Sequence, residues 1–371
     1  MAQISIPLFK VFMPESAHAA LKPVLESGRL AAGPQVSAFE TRLATWLGHP
    51  DAAALGDASG ALTLALYQAG VRPGDEVIVS PLACSATLMP IANLFARPVW
   101  CDIDPLTGMI DAGKIDGFVS EKTRAILVYH WSGDVADIAA IAVVARKYDI
   151  KLVEDASAAF GAEYKGRCLG GESDFTVYSF YATKHINCGE GAALLAKNAD
   201  DVEAARRLRR FGIDYSSFRL LNGDLNPRFD IPVAGFNFPM NEIAATLGIE
   251  GLRHADRIVA QHRANGSFYE TALAGMPGVR LLKRRKDSAS GYWTYALLAE
   301  RRDDLMRKLV SHGIGVQRLH LRNDAYSCFG GTRQNLPGVD EFDALNISIP
   351  CGWWVGEVER TRISEVIRSG W

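Results

Sequence analysis

Long apolar runs are missing from this chain, and no hydrophobic stretch reaches the length needed to span a bilayer. No basic-then-apolar leader opens it, so neither membrane insertion nor export is expected. Cysteine is scarce: the six residues Cys84, Cys101, Cys168, Cys188, Cys328 and Cys351 show no CxxC spacing. That excludes a small disulfide scaffold and fits free thiols in a reducing cytoplasm, and no metal-ligand set is read from the sequence. A large excess of either charge is also lacking. A formal net charge of −2 argues against nucleic acid as a partner. The local basic runs Arg206-Arg207-Leu208-Arg209-Arg210 and Lys283-Arg284-Arg285-Lys286 read as solvated faces. Repeats and low-complexity tracts are absent too. What is present is 48 % apolar residues in 371, enough for a large core in two or three domains or one large α/β domain with an appendage.

Along the chain, helical spacing around Leu21, Val24 and Leu25 breaks at Gly28–Pro34. It resumes near Gln35 with Val36, Phe39, Leu43 and Leu47 on one face. A short strand, Ala52–Leu55, then feeds through Gly56-Asp57-Ala58-Ser59-Gly60-Ala61 into a helix. Free backbone N–H groups and the positive end of the helix dipole meet at such a turn, so it can cradle an anion. Asp57 is an awkward neighbour for a phosphate but a good helix cap. Strands at Glu76–Ser80, Pro98–Cys101, Arg124–Tyr129 and Lys151–Glu154 then alternate with helices at Ser85–Phe95, where Pro90 sits near the start, and Asp137–Tyr148. That alternation predicts a doubly wound, mostly parallel sheet, with ligands at the carboxyl ends of its strands. Ser59, His130 and Asp155 fall at such ends. Asp155 taken alone reads more readily as a helix cap.

Past residue 200 the pattern is mainly helical: Asp201–Phe211, then a polar loop at Gly223–Ala234, then a helix capped by Asn241 and another over Asp256–Leu273. Short strands near Val279–Leu282, Tyr292–Leu298 and Ile347–Ile349 with helices near Arg301–Ser311 and Glu357–Ile367 predict a smaller α+β domain. The division falls near residue 250, giving a large α/β domain over 1–250 and a small one over 251–371.

Between Asp174 and Ala193 stands DFTVYSFYATKHINCGEGAA. Its period of two predicts a strand over Phe175–Phe180, and the run Ala192–Ala196 predicts another. Lys184 lies on the polar link between them. An ammonium there needs water, a partner or a reaction. Either it snorkels at a sheet edge, or its amine, with a pKa lowered by burial, forms a Schiff base with a carbonyl cofactor. Taken together, Lys184, Asp155 and the Ser59 turn supply an aldehyde trap, a ring-nitrogen partner and a phosphate cradle, the three things pyridoxal phosphate requires.

Almost the whole chain resembles the DegT/DnrJ/EryC1/StrS family of pyridoxal-phosphate-dependent sugar aminotransferases. The likeness is carried by LESGRLAAGPQVSAFETRLATWLG, GVRPGDEVIVSP, LVEDASAAFGAEYKGRCLGGESDFTVYSFYATKHINCGEGA, GFNFPMNEIAATLGIEGL and the tail IPCGWW. The resemblance implies fold type I, the aspartate-aminotransferase type, with active sites shared across a homodimer. It implies that Lys184 holds the cofactor and shuttles a proton, and that Asp155 pairs with the pyridine nitrogen. Ala58, Ser59 and Ser179 are then expected to bind the phosphate, with Asn237 reaching the cofactor of the neighbouring subunit. Glu190 and Gly191 shape the loop after the lysine.

Two positions depart from the family pattern. Cys84 stands where an aromatic residue usually stacks on the pyridine ring. Ala158 stands where Gln or His usually meets the phenolic oxygen. Tyr129, His130, Trp131 or a water is expected to compensate. Gly313–Arg318 and His320–Asp324 resemble substrate-side segments. The reaction implied is transfer of an amino group from an amino acid, glutamate by expectation, to the keto carbon of a nucleotide-linked 4-keto-6-deoxy or 3-keto sugar, with pyridoxamine phosphate as the intermediate cofactor form. A dehydratase or deoxygenase of the same fold, in which His replaces the lysine, and a non-catalytic regulatory protein are the alternatives. One residue on from Lys184, His185 is expected to point away from the cofactor because side chains alternate along extended chain.

Overall fold

The computed structural model describes residues 4–371. Its centre is a seven-stranded sheet. In chain order the strands are β1 (Ala53–Leu55), β2 (Glu76–Val79), β3 (Arg97–Trp100), β4 (Thr123–Tyr129), β5 (Lys151–Asp155), β6 (Phe175–Ser179) and β7 (Ala192–Ala196). In space they run β3-β2-β4-β5-β6-β7-β1. The pairs β2–β3, β2–β4, β4–β5 and β5–β6 are parallel, while β7 lies antiparallel to both β6 and β1. Every residue of β6 and β7 is buried. The alternation read along β6 is therefore one of residue type only, as befits a strand covered on both faces.

The helices form where spacing and caps direct. α1 (Ala17–Ser27) and α2 (Pro34–Leu47) bury Val24 and the row Val36, Phe39, Leu43 and Leu47, whereas Leu25 faces out. α3 (Ala58–Gln68) starts where the carboxylate of Asp57 accepts the N–H of Gly60 at 2.7 Å. α4 (Ser85–Asn93) carries Pro90 in its interior rather than near its start. α5 (Ile138–Lys147) is capped by Asp137, and α6 covers Ala199–Leu208. In α7 (Glu242–Leu252), Asn241 accepts the Ala244 N–H at 2.8 Å, and α8 spans Ala255–Ala272. Beyond it, β8 (Val279–Leu281), β9 (Tyr295–Ala299) and β10 (Asn346–Ile349) make an antiparallel sheet in that order. It packs with α9 (Arg302–Ser311) and α11 (Glu357–Arg368), while α10 (Pro337–Leu345) contacts β9 and buries Val339 and Phe342 in the large core. Tyr269, Tyr295, Leu305, Leu309, Ile347 and Ile363 form this second apolar cluster, which Ile6 joins from the chain's start. Among the described residues no helix is long and apolar enough to cross a membrane.

The basic runs are solvated only in part: Arg207, Lys283 and Lys286 are exposed, but their neighbours are not. Arg206 and Arg209 turn inward onto Glu40, which is buried, and Arg206 also binds Asp51. Arg284 pairs with Asp134 and Glu270 beneath the rings of Tyr292 and Tyr295. Carboxylates distant in sequence supply these partners, so a reading of the local charge run alone misses them.

Candidate active site

A cavity of about 380 Å³ opens at the carboxyl ends of β4, β5 and β6. Its wall includes Ala58, Ser59, Cys84, Asp155, Ser179 and Lys184, all expected from the sequence, together with Asp57, Thr87, Tyr129, Ser157, Tyr181, Thr183, Glu190, Trp293 and His320.

Lys184 stands on the connection from β6 to β7, which folds back as turns. The Lys184 N–H donates to Tyr181 O at 2.9 Å, and the base of the loop is closed by the Phe180 N–H to Gly191 O at 2.8 Å. Asn187 ties the loop to Phe12 O at 2.7 Å. Among the described residues the Lys184 ammonium has no carboxylate partner; it lies 3.4 Å from the centroid of the Trp293 ring. Burial lowers its pKa to about 8, against the opposing pull of the negative charge on Asp155. A lysine left unpaired beside a cavity, with its neutral form within reach near neutral pH, is set up as a nucleophile.

Asp155 ends β5. Its Oδ2 accepts from Thr87 Oγ1 at 2.5 Å and its Oδ1 from the Ser157 N–H at 2.9 Å. Both oxygens are thus fixed from behind while the carboxylate lines the cavity. The first residues of α3 bring Ala58 and Ser59 to the same cavity. The Ser59 hydroxyl donates to Ala86 O at 3.0 Å, and Ser179 Oγ accepts the Tyr181 N–H at 3.3 Å. Asp57 and Glu190 add carboxylates here, and burial, then the nearby Asp57, raise the pKa of Glu190. Lys184 is the one cationic side chain lining the cavity among the described residues.

Tyr129, paired in register with Asp155, shares a 2.9 Å hydrogen bond with His320 Nε2. Burial holds the Tyr129 hydroxyl far above its usual pKa and, with the Lys184 charge, pushes His320 down to about 3. Both are neutral polar groups at the cavity wall.

Other expectations are placed elsewhere. Ala158 is buried in the turn after β5 and does not face the cavity; Ser157 does. His130 is buried against Glu154 at 2.8 Å and accepts the Ala136 N–H, so it holds the end of β4 and not a ligand. Trp131 packs between His320 and Phe342 outside the lining. Asn237 is exposed on a segment bridged to Arg210 and lines no part of its own chain's cavity. Arg322 and Asn323 are structural: the first is bound to Asp324, the second to the carbonyls of Pro81 and Ala83. His185 does turn from the cavity, donating from Nε2 to Gly291 O at 2.7 Å. The turn around Lys184, rather than extended chain, directs it there.

Sequence reading missed Thr87, Trp293 and the wall position of His320. Thr87 could have been found, because it sits in the first turn of a helix that begins just past the carboxyl end of β2. Nothing local to Trp293 marks it.

A mostly parallel sheet with one reversed strand, and a loop lysine that shares a cavity with a strand-end aspartate, define a protein of pyridoxal-phosphate fold type I. The chain belongs to the DegT/DnrJ/EryC1/StrS aminotransferase family, whose model matches residues 13–368. It is similar to the sugar aminotransferase CalS13 from Micromonospora echinospora, with 35 % identity and a TM-score of 0.93 over 99 % of this chain and 100 % of that one. AtS13 from Actinomadura melliaura is 33 % identical, with a TM-score of 0.94 and full coverage of both chains at 100 %. The spore coat polysaccharide biosynthesis protein SpsC of Bacillus subtilis (strain 168) is 32 % identical over 337 residues, 88 % of this chain and 87 % of that protein. Pyridoxal phosphate is the cofactor. The residues present fit it: an unpaired lysine, a carboxylate braced from behind, and a hydroxyl-bearing helix start meet in one cavity.

Proposed function

We propose that this protein is an aminotransferase that moves an amino group from an amino acid, L-glutamate, to the keto carbon of a nucleotide-linked sugar of the 4-keto-6-deoxy or 3-keto type, and that it works as a cytoplasmic homodimer with shared sites. One observation carries the reading: Lys184, without a carboxylate partner, lines the same cavity as the braced Asp155 and the start of α3. The sugar as acceptor is supported by the likeness to the sugar aminotransferase CalS13 across 99 % of the chain.

Bound pyridoxal phosphate supplies an aldehyde that carries the amino group and a ring that accepts the electrons of a breaking C–H bond. The chain's own residues do the rest. Lys184 Nζ, when free of the cofactor, would be a base of suitable pKa to move a proton between the substrate carbon and the cofactor's aldehyde carbon, which flank the transferred nitrogen. Asp155 keeps the ring nitrogen protonated, with Thr87 and the Ser157 N–H holding its carboxylate in place. The hydroxyls of Ser59 and Ser179 and the N–H groups at the start of α3 receive the phosphate. Asp57 and Glu190 leave that end short of positive charge within one chain. This supports a contribution from the neighbouring subunit, for which the exposed Asn237 is the candidate. Tyr129, His320 and Trp293 wall off water.

The test is incubation with glutamate and a 4-keto-6-deoxy nucleotide sugar. Equal amounts of 2-oxoglutarate and amino sugar are expected. A keto-deoxy sugar with released ammonia would establish the dehydratase instead, and no turnover of any keto sugar would favour the regulatory protein.

A further inference from the structure

The amine of Lys184 is held by a device that the transamination reading leaves unused. Trp293 is almost fully buried. Phe9 stacks on its ring at 4.8 Å and 23°, and Lys184 Nζ lies over the ring at 3.4 Å. The indole Nε1–H donates to the carbonyl of Thr183, the residue before the lysine, at 2.9 Å. Ring and loop are therefore locked to each other at two points.

The segment that carries Trp293 is itself pinned at each step. The Gly291 N–H donates to Gly133 O at 2.9 Å, and a Cβ at Gly291 would lie 2.5 Å from Phe160 O. Tyr292 adopts a left-handed φ of 47°, a conformation costly for an aromatic residue and kept only where the surroundings impose it. Two buried histidines impose it: His185 Nε2 donates to Gly291 O and His262 Nδ1 to Tyr292 O, each at 2.7 Å. Their rings stand 4.3 Å apart, and each leaves its other nitrogen buried without a partner. Stranded lone pairs and a strained residue are unfavourable terms, and together they fix the place of one indole.

We infer that Trp293 is a positioning residue for Lys184: its π-face holds the amine at the cavity wall and aims it at the cofactor's aldehyde, while His185 and His262 fix the backbone on either side. The inference rests on the reading of Lys184 as the cofactor lysine. In the step concerned, the ammonium first gives up a proton to solvent. Nζ then bonds to the aldehyde carbon, and the carbonyl oxygen leaves as water, so a C=N bond replaces C=O. A lysine whose side chain is already restrained at the cavity wall has less freedom left to lose when it reacts.

Cofactor-free wild-type, W293F and W293L proteins are mixed with pyridoxal phosphate, capture is followed by absorbance, and the attached lysine is identified by borohydride trapping and peptide mapping. W293L should capture the cofactor at least about tenfold more slowly, and W293F within about threefold of wild type; both should melt below wild type because a buried indole is truncated, so capture is measured where each is shown to be folded. If W293L does not fold, W293M is judged by the same criterion. Equal capture by all variants, or an equal loss in W293F and W293L, overturns the inference. An adduct away from Lys184 in the wild type overturns instead the reading beneath it.

Discussion

Thr87 Oγ1 donates a 2.5 Å hydrogen bond to Asp155 Oδ2, joining the first turn of α4 to the carboxyl end of β5. A strand and a helix from separate βα units thus hold one carboxylate. Asp155→Ala should lower turnover by roughly 10²- to 10³-fold while the protein still binds cofactor, since the ring loses the group that keeps its nitrogen protonated. T87V should cost about tenfold and T87S should restore most of it, because only the orientation of the carboxylate is disturbed. Steady-state rates beside cofactor absorbance separate the two effects. Near wild-type turnover in Asp155→Ala would assign the ring nitrogen to another residue.

Lys184 should be the sole site of borohydride-trapped cofactor, and its capture of cofactor should rise with pH about a midpoint near 8, not near the ordinary lysine value of 10.5. Linkage gives a second check. The folded pKa lies below the unfolded one, so between them the unfolded chain binds more protons, and stability of the cofactor-free protein increases as pH rises from about 8 to about 10. Urea titrations across that window should show a steeper gain for wild type than for K184M. Identical slopes would mean that Lys184 is not desolvated.

Shared sites predict complementation. K184A and N237A should each be nearly inactive alone, yet an exchanged mixture should recover about a quarter of wild-type activity, because half the dimers are hybrids with one intact site of two. A mixture that stays inactive after proven subunit exchange counts against Asn237 acting across the interface.

Gly248 lets α7 approach α2. A Cβ there would lie 2.6 Å from both a Phe39 ring carbon and Cys188 Sγ. G248A should therefore destabilise the fold by about 1–3 kcal/mol through overpacking, despite the better helix propensity of alanine. Thermal denaturation measures it, and an unchanged or higher Tm would show that Phe39 can move aside.

The sequence carried the elements well where local chemistry dictates them. Asn241 and Asp57 announce helix starts, and the small residues after β1 announce the turn into α3. The chain between Asp155 and Lys184 was legible for the same reason, since strand, link and strand are contiguous. Thr87, Trp293 and His320 come to the cavity from three other segments, and period and spacing carry no information about which distant side chains meet. His130 and Tyr129 illustrate the limit. Both sit at the end of β4, but successive side chains take opposite faces, and only the packed sheet decides that Tyr129 has the cavity and His130 the core. Arg206 and Arg284 were misread because Glu40 and Asp134 are remote in sequence.

The reversal of β7 also has a consequence in time. Ser179 pairs with Ala192, its near neighbour, while Leu194 pairs with Ala53 from the first strand of the sheet. A nascent or refolding chain can zip β6 to β7 early as a local hairpin, but the far leg of the lysine loop gains its second neighbour only when β1 docks. Contacts between such distant residues form slowly, because the entropy of closing the intervening chain must be met first. Lys184 and the start of α3, which comes directly after β1, become parts of one cavity at that step and not before. Added during refolding, pyridoxal phosphate would then act as a clock for the docking of β1, its capture lagging behind collapse and secondary-structure formation.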